Sequence, residues 1–291
     1  MKPSVAANPS WVFFDVDQTL CDFTTMMRRA LGRSIREIEL SWPQLSGRYR
    51  PDELERIRDH LADGYGDAPV PLVAVRREMF ATVLREVSAG EQEIDEVTDH
   101  YLGFRFADPV LFPDVLPTLE ALSGKVRLGV ITNGNSKLDA LGLEHFFEVE
   151  FVAEQVGFAK PDSRIYEYAA AEVGADPAQL IMVGDSYAKD VAAAELAGWR
   201  AVWLRRDDQS PADGPAAIID PTSMIRDLRQ LITLCFDPPL RESNPDDSGS
   251  GARSPGRAVQ LGYAAGTSWS PVASHSRTRN PPPRAEHRLR G

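Results

Sequence analysis

The chain has 291 residues, of which 43% are apolar and 26% charged, with a formal net charge of −11. That balance belongs to a globular protein and excludes non-specific binding of nucleic acid polymers, which needs a basic surface. Cys21 and Cys235 are too far apart to suggest a disulfide framework or a metal pair. No stretch reaches the roughly 18 apolar residues of a membrane helix, and no apolar leader precedes Trp11, so a cytoplasmic protein with no membrane partner is expected.

The first strand is read at Trp11–Asp15, an apolar run that stops in Asp15-Val16-Asp17-Gln18-Thr19. Along an extended chain Asp15 and Asp17 point the same way and Val16 the other. Two carboxylates at one strand end repel unless a cation or a shared proton compensates. The pair therefore suggests a divalent metal, a nucleophile beside an acid/base, or both.

From Asp22 to Phe106 only helical periodicity is present, as in Pro51–Ala62 and Val70–Val87. Pro51 followed by Asp52 and Glu53 has the form of a helix start, with acids in its first turn. Beyond this insertion, short apolar runs alternate with amphipathic stretches. Strands are expected at Val126–Thr132, Val149–Ala153, Leu180–Gly184, Ala201–Leu204 and Ala217–Ile219. Helices are expected at Val115–Leu122, Ser136–Leu143, Ser163–Val173, Ala188–Ala197 and Ser223–Cys235. This alternation predicts an α/β fold, a doubly wound parallel sheet with an inserted all-helical domain. From residue 238 the composition turns to Pro, Ser, Gly and Arg, with eight arginines against four acids. Such a tail buries too little apolar surface to offset its ordering entropy and is expected to be disordered.

Ligands of open α/β sheets bind at the carboxyl ends of the strands, and polar residues recur there. The second strand ends in Thr132-Asn133-Gly134, and Ser136 is read as opening a helix, a hydroxyl and free N–H groups that suit an anion. Lys160-Pro161-Asp162 follows the third strand and offers a point cation. Gly184-Asp185-Ser186 ends the fourth, with Asp190 five residues beyond Asp185. Singly, each has an ordinary explanation as a turn, a surface lysine or a helix cap. Together, in this order and each at a strand end, they point to one site.

These four segments resemble the motifs of the haloacid dehalogenase superfamily: Asp15-Val16-Asp17-Gln18-Thr19 its DxDxT motif, Thr132 the second, Lys160 the third, and Gly184-Asp185 with Asp190 the GDxxxxD fourth. The resemblance covers about residues 10–237 and is to the phosphatase branch with a helical, C1-type cap. Ile131–Gly134 and Lys160–Tyr166 also resemble the nucleotide and acylneuraminate-phosphate phosphatases of the superfamily. It implies a Rossmann-like core from residues 1–21 and 107–237, a cap from 22–106 and a tail from 238–291. It also implies a Mg²⁺-dependent phosphatase of small phosphomonoesters, a monomer or homodimer. By the resemblance Asp15 is the nucleophile, forming an aspartyl-phosphate, and Asp17 the acid/base. Thr132, Asn133 and Lys160 hold the phosphate. Asp15, the Asp17 carbonyl and Asp185 hold Mg²⁺, and Asp190 either ligates through water or orients Lys160. Dehalogenases of the superfamily lack an acid/base carboxylate at the position of Asp17. Sugar phosphomutases share it but commonly carry Gly in place of Gln18, so a mutase is the alternative enzyme. A non-catalytic binding protein on the same scaffold is the alternative of another class. Substrate selection is expected from the insertion, at Arg48 and Tyr49 in a loop after Gly47. Arg76 and Arg77 are expected on a solvated helix face, and Cys21 in inert packing.

Overall fold

The computed structural model describes residues 9–66, 68–206 and 224–236, all within the unit Met1–Leu240. The Ala217–Ile219 strand and the tail from residue 238 lie outside the described residues. No described helix is long and apolar enough to cross a membrane.

Six parallel strands form one sheet in the order β3-β2-β1-β4-β5-β6: β1 Trp11–Phe14, β2 Arg127–Thr132, β3 Val149–Val152, β4 Leu180–Gly184, β5 Arg200–Leu204 and β6 Met224–Ile225. The first strand is central, with Phe14 opposite Val130 on one side and Val183 on the other. Its alternation feeds two cores. Val12 and Phe14 join Leu128, Val130, Ile181 and Val183 on one face. Trp11 and Phe13 join Ile131, Leu180, Met182 and Trp203 on the other. Burial on both faces is what a parallel sheet demands, and it explains the unbroken apolar run of β1.

Between β1 and β2 the chain forms α1 Phe23–Ser41, α2 Pro51–Asp63, α3 Leu72–Leu84 and α4 Glu91–Phe106, then α5 Val115–Leu122. Asp22 caps α1 by accepting from the Thr25 N–H at 2.9 Å, and Pro51, Asp52 and Glu53 open α2 as expected. Helices α1 to α4 enclose their own core of Met27, Leu31, Ile35, Leu54, Phe80, Leu84, Ile94 and Tyr101. Helix α5 packs on the Val12–Phe14 face through Val115, Leu119 and Leu122. After β3 come α6 Ala153–Val156 and α7 Arg164–Val173; α7 seats Ile165, Tyr166 and Ala169 against the Trp11–Phe13 face. A π-helical turn, Tyr187–Ala192, runs into α8 Ala193–Leu196, and α9 is Gln230–Phe236.

Two expected helices are corrected. In place of the helix Ser136–Leu143, residues 138–142 form turns: the Leu141 N–H reaches back four residues to the Lys137 carbonyl, but Gly142 and Leu143 reach back three and five, to Asp139 and Leu138, so no helix propagates. In place of a helix from Ser223, Met224–Ile225 adds a sixth strand beside Trp203 and Leu204, and the helix begins at Gln230.

Candidate functional site

The strand order reverses at β1, flanked by β2 and β4, and the polar ends of these strands converge on a cavity of about 360 Å³. Asp15, Asp17, Asn133, Gly134, Lys160, Asp185 and Asp190 all line it. Val16 is buried in the opposite core, so the two aspartates share a side as the alternation requires.

Lys160 is the electrostatic centre. Its buried ammonium donates to Asp15 Oδ1 at 2.7 Å, Asp190 Oδ1 at 2.6 Å and the Ile131 carbonyl at 2.9 Å. Burial alone would lower its pKa, but Asp15 and Asp190 outweigh it and hold the lysine charged. Asp190 is fixed at both oxygens, since Oδ2 accepts from the Ser186 N–H at 3.0 Å. Burial first, and then the neighbouring Asp15 charge, push Asp190 up to about 6 against the pull of Lys160. Asp185 has no ion pair with a cation among the described residues; burial, Asp15 and Asp190 push it up to about 8. Burial likewise raises Asp15, although Lys160 opposes the shift.

One ammonium thus faces three carboxylates, Asp15, Asp185 and Asp190, whose oxygens lie within 4.8 Å of one another. Surplus negative charge on hard oxygen donors is the donor set of Mg²⁺ or a similar cation. The residues fit the ion that the sequence implies.

Two glycines make the crowding possible. A Cβ at Gly134 would stand 2.2 Å from Asp17 Oδ2, and one at Gly184 would stand 2.3 Å from the Asp190 carboxylate. Thr132 is fully buried beside the cavity, and its hydroxyl accepts the Gly134 N–H at 2.9 Å.

Arg48 and Tyr49 are not brought to this site. Both engage Glu86, Arg48 at 2.9 Å and Tyr49 at 2.5 Å, and neither lines the cavity. The insertion's contribution is Phe23, Arg58, Asp59, Ala62, Leu72, Val75 and Arg76. Arg76 is therefore corrected from a solvated position to a buried one, donating to Asn135 Oδ1 at 3.0 Å. Burial, and after it the nearby Arg105, push its guanidinium down to about 10. Arg77 does lie at the surface, paired with Glu91 and Asp95. Arg105, which sequence reasoning passed over, is fully buried and donates to Asn135 Oδ1 at 2.8 Å and to Ser136 Oγ at 3.1 Å. The signal was present: Arg76 and Arg105 share the buried stripes of α3 and α4 with Met79, Phe80 and Val83, and with Ile94, Val97, Thr98 and Tyr101. Cys21 is buried, its thiol donating to the Val16 carbonyl and pushed up by burial and the nearby carboxylates.

Residues 9–198 match the model of the haloacid dehalogenase-like hydrolases. The chain belongs to this family. Over 236 residues it is 30% identical to the glyceraldehyde 3-phosphate phosphatase of Methanopyrus kandleri, covering 76% of this chain and 97% of that one. It is 25% identical to a pyrimidine 5′-nucleotidase of Escherichia coli, covering 76% and 95%. A 2-haloacid dehalogenase structure from Pseudomonas syringae superposes with a TM-score of 0.63 at 29% identity, covering 78% and 97%. As a haloacid dehalogenase-like protein with such relatives, the chain is a hydrolase.

Proposed function

We propose that this hydrolase is a Mg²⁺-dependent phosphatase of small phosphomonoesters, with Asp15 as nucleophile. The observation that carries this reading is the presence of both Asp15 and Asp17 on one cavity, beside a buried lysine and two further carboxylates. A halide leaves without a proton, so a second carboxylate beside the nucleophile suits an alkoxide leaving group. That feature, together with phosphatases among the relatives, favours phosphate esters over haloacids.

In this reading an Asp15 carboxylate oxygen forms the bond to phosphorus as the ester P–O bond breaks, giving an aspartyl-phosphate. Asp17 hands a proton to the departing alkoxide and later takes one from the water that hydrolyses the acyl-phosphate. Lys160, Thr132 and Asn133 hold the phosphoryl group, and Asp190, with both oxygens engaged, orients Lys160. Asp15, the Asp17 backbone carbonyl and Asp185 would hold the metal, and Asp190, in the same cluster, would reach it through water. When bound, it supplies charge neutralisation at the phosphoryl oxygens.

The insertion acts as a cap over 22–106 on a core of 1–21 and 107–237. A cavity of about 360 Å³ beneath it suits a small ester and excludes a folded phosphoprotein. Chelator-treated protein should release no phosphate from p-nitrophenyl phosphate and should recover with Mg²⁺. Full activity in metal-free buffer would overturn the assignment.

A further inference from the structure

The buried arginines of the insertion connect to Asp17 through one hydroxyl. Arg105, at the end of α4, donates through Nη2 to Ser136 Oγ at 3.1 Å, and Ser136 Oγ donates to Asp17 Oδ1. The polarity of this chain is fixed, because a guanidinium only donates, so the Ser136 hydrogen must go to the carboxylate. Arg105 is itself immobilised. Its guanidinium lies 4.9 Å from the Phe23 ring centroid and 4.8 Å from that of Phe106, and its Nη1 shares Asn135 Oδ1 with Arg76. Neither arginine forms a salt bridge with a carboxylate among the described residues; Arg76 is met by Asn135 and the Tyr101 side chain, and Arg105 reaches a carboxylate only through Ser136. On the far side Gly134 leaves room for Asp17 Oδ2, which takes part in none of the described hydrogen bonds.

We infer that Arg105 and Ser136 are positioning residues for the acid/base: they hold Asp17 by Oδ1 so that Oδ2 alone exchanges the proton with the substrate. The inference rests on the phosphatase reading. As the ester P–O bond breaks and Asp15 bonds to phosphorus, the Oδ2 proton passes to the alkoxide oxygen. The Ser136 hydrogen, polarised by Arg105, then steadies the charge left on Asp17. Because Arg105 belongs to the insertion and Ser136 to the loop after β2, the same contact ties the seat of the insertion to the readiness of the acid.

The test is leaving-group dependence. A nitrophenolate leaves with little help from an acid, whereas an alkoxide needs its proton. kcat/KM, which reports the steps through leaving-group departure, is compared for p-nitrophenyl phosphate and the best alkyl ester of glycerol phosphate, ribose 5-phosphate and propyl phosphate. Ser136→Ala should lower the alkyl-to-aryl ratio about 10- to 100-fold, the worth of one hydrogen bond to a charged group. Ser136→Thr, which keeps the hydroxyl, should restore it, and Arg105→Met should lower it if that variant folds. An unchanged ratio in Ser136→Ala, with both esters slowed alike or neither slowed, would overturn the inference. So would a wild type that hydrolyses the aryl ester and none of the alkyl esters. A wild type that hydrolyses neither kind overturns the phosphatase reading itself.

Discussion

Asn133 and Lys160 exchange two hydrogen bonds: the Lys160 N–H donates to Asn133 Oδ1 at 2.8 Å, and Asn133 Nδ2 donates to the Lys160 carbonyl at 2.7 Å. The amide of one strand end thereby frames the backbone of the loop that carries the central ammonium. Asn133→Ala should leave both Lys160 backbone groups unsatisfied and destabilise the fold by about 1–3 kcal/mol. Urea unfolding measures this, and Mg²⁺-supported turnover should fall with it. An unchanged unfolding midpoint would mean that the loop is held by other contacts.

Asp15→Asn should abolish turnover, since an amide cannot serve as the attacking carboxylate. Asp17→Asn should slow it about 10²–10⁴-fold, the range for loss of a general acid/base. Circular dichroism should show both variants folded. Near-wild-type turnover by Asp15→Asn would eliminate the covalent route.

Gly134→Ala places a methyl group where Asp17 Oδ2 now lies, at 2.2 Å from it. The side chain must move, so this small substitution should cost activity far beyond its effect on melting temperature. Gly184→Ala, aimed at the Asp190 carboxylate from 2.3 Å, should do the same by displacing the partner of Lys160. Parallel assays and thermal melts of the two variants separate displacement of a carboxylate from general unfolding.

The pH dependence of the metal-free protein follows from Asp185. Its folded pKa, about 8, lies above the ordinary 3.8, so the folded state prefers the neutral acid. Stability is lost as pH rises from about 4 towards 8 and is regained on acidification. In chelator the protein should therefore melt lower at pH 8.5 than at pH 6. Mg²⁺ should raise the melting temperature more at pH 8.5, because a protonated carboxylate is a poor ligand. Equal Mg²⁺ stabilisation at both values would argue against Asp185 as a ligand.

Much of this was legible in the sequence because it is local. The unbroken apolar runs of Trp11–Phe14 and Leu180–Gly184 and the amphipathic pattern of α5 at Val115–Leu122 are each complete within their own segment. Asp15 and Asp185 were legible as carboxylates closing apolar runs, and Lys160 and Asp190 by their place in the loop and turn that follow β3 and β4. The burial of Arg105 was legible in the apolar stripe of α4, but its role was not, because its partner Ser136 lies 31 residues away and only the fold joins them. The turns over residues 138–142 depart from the expected helix for a related reason. Leu138 and Leu141 reach the core at helical spacing, three apart, while the backbone takes another path and Leu143 joins them from beyond Gly142. Arg48 and Tyr49 found a nearer partner in Glu86, which sequence spacing does not reveal.

The central place of β1 also means that the first strand to be made must wait for both of its partners. Trp11 pairs with Arg127 and with Leu180, so the strand that ends in Asp15 leaves the ribosome long before either neighbour exists. Until β2 and β4 arrive, the apolar ribbon Trp11–Phe14 has no sheet to join, whereas α1 to α4 carry a core of their own. Closing so long a loop is slow relative to helix packing. The insertion can therefore fold during translation before the sheet closes, while the nascent first strand keeps its apolar side chains exposed until β2 and β4 arrive.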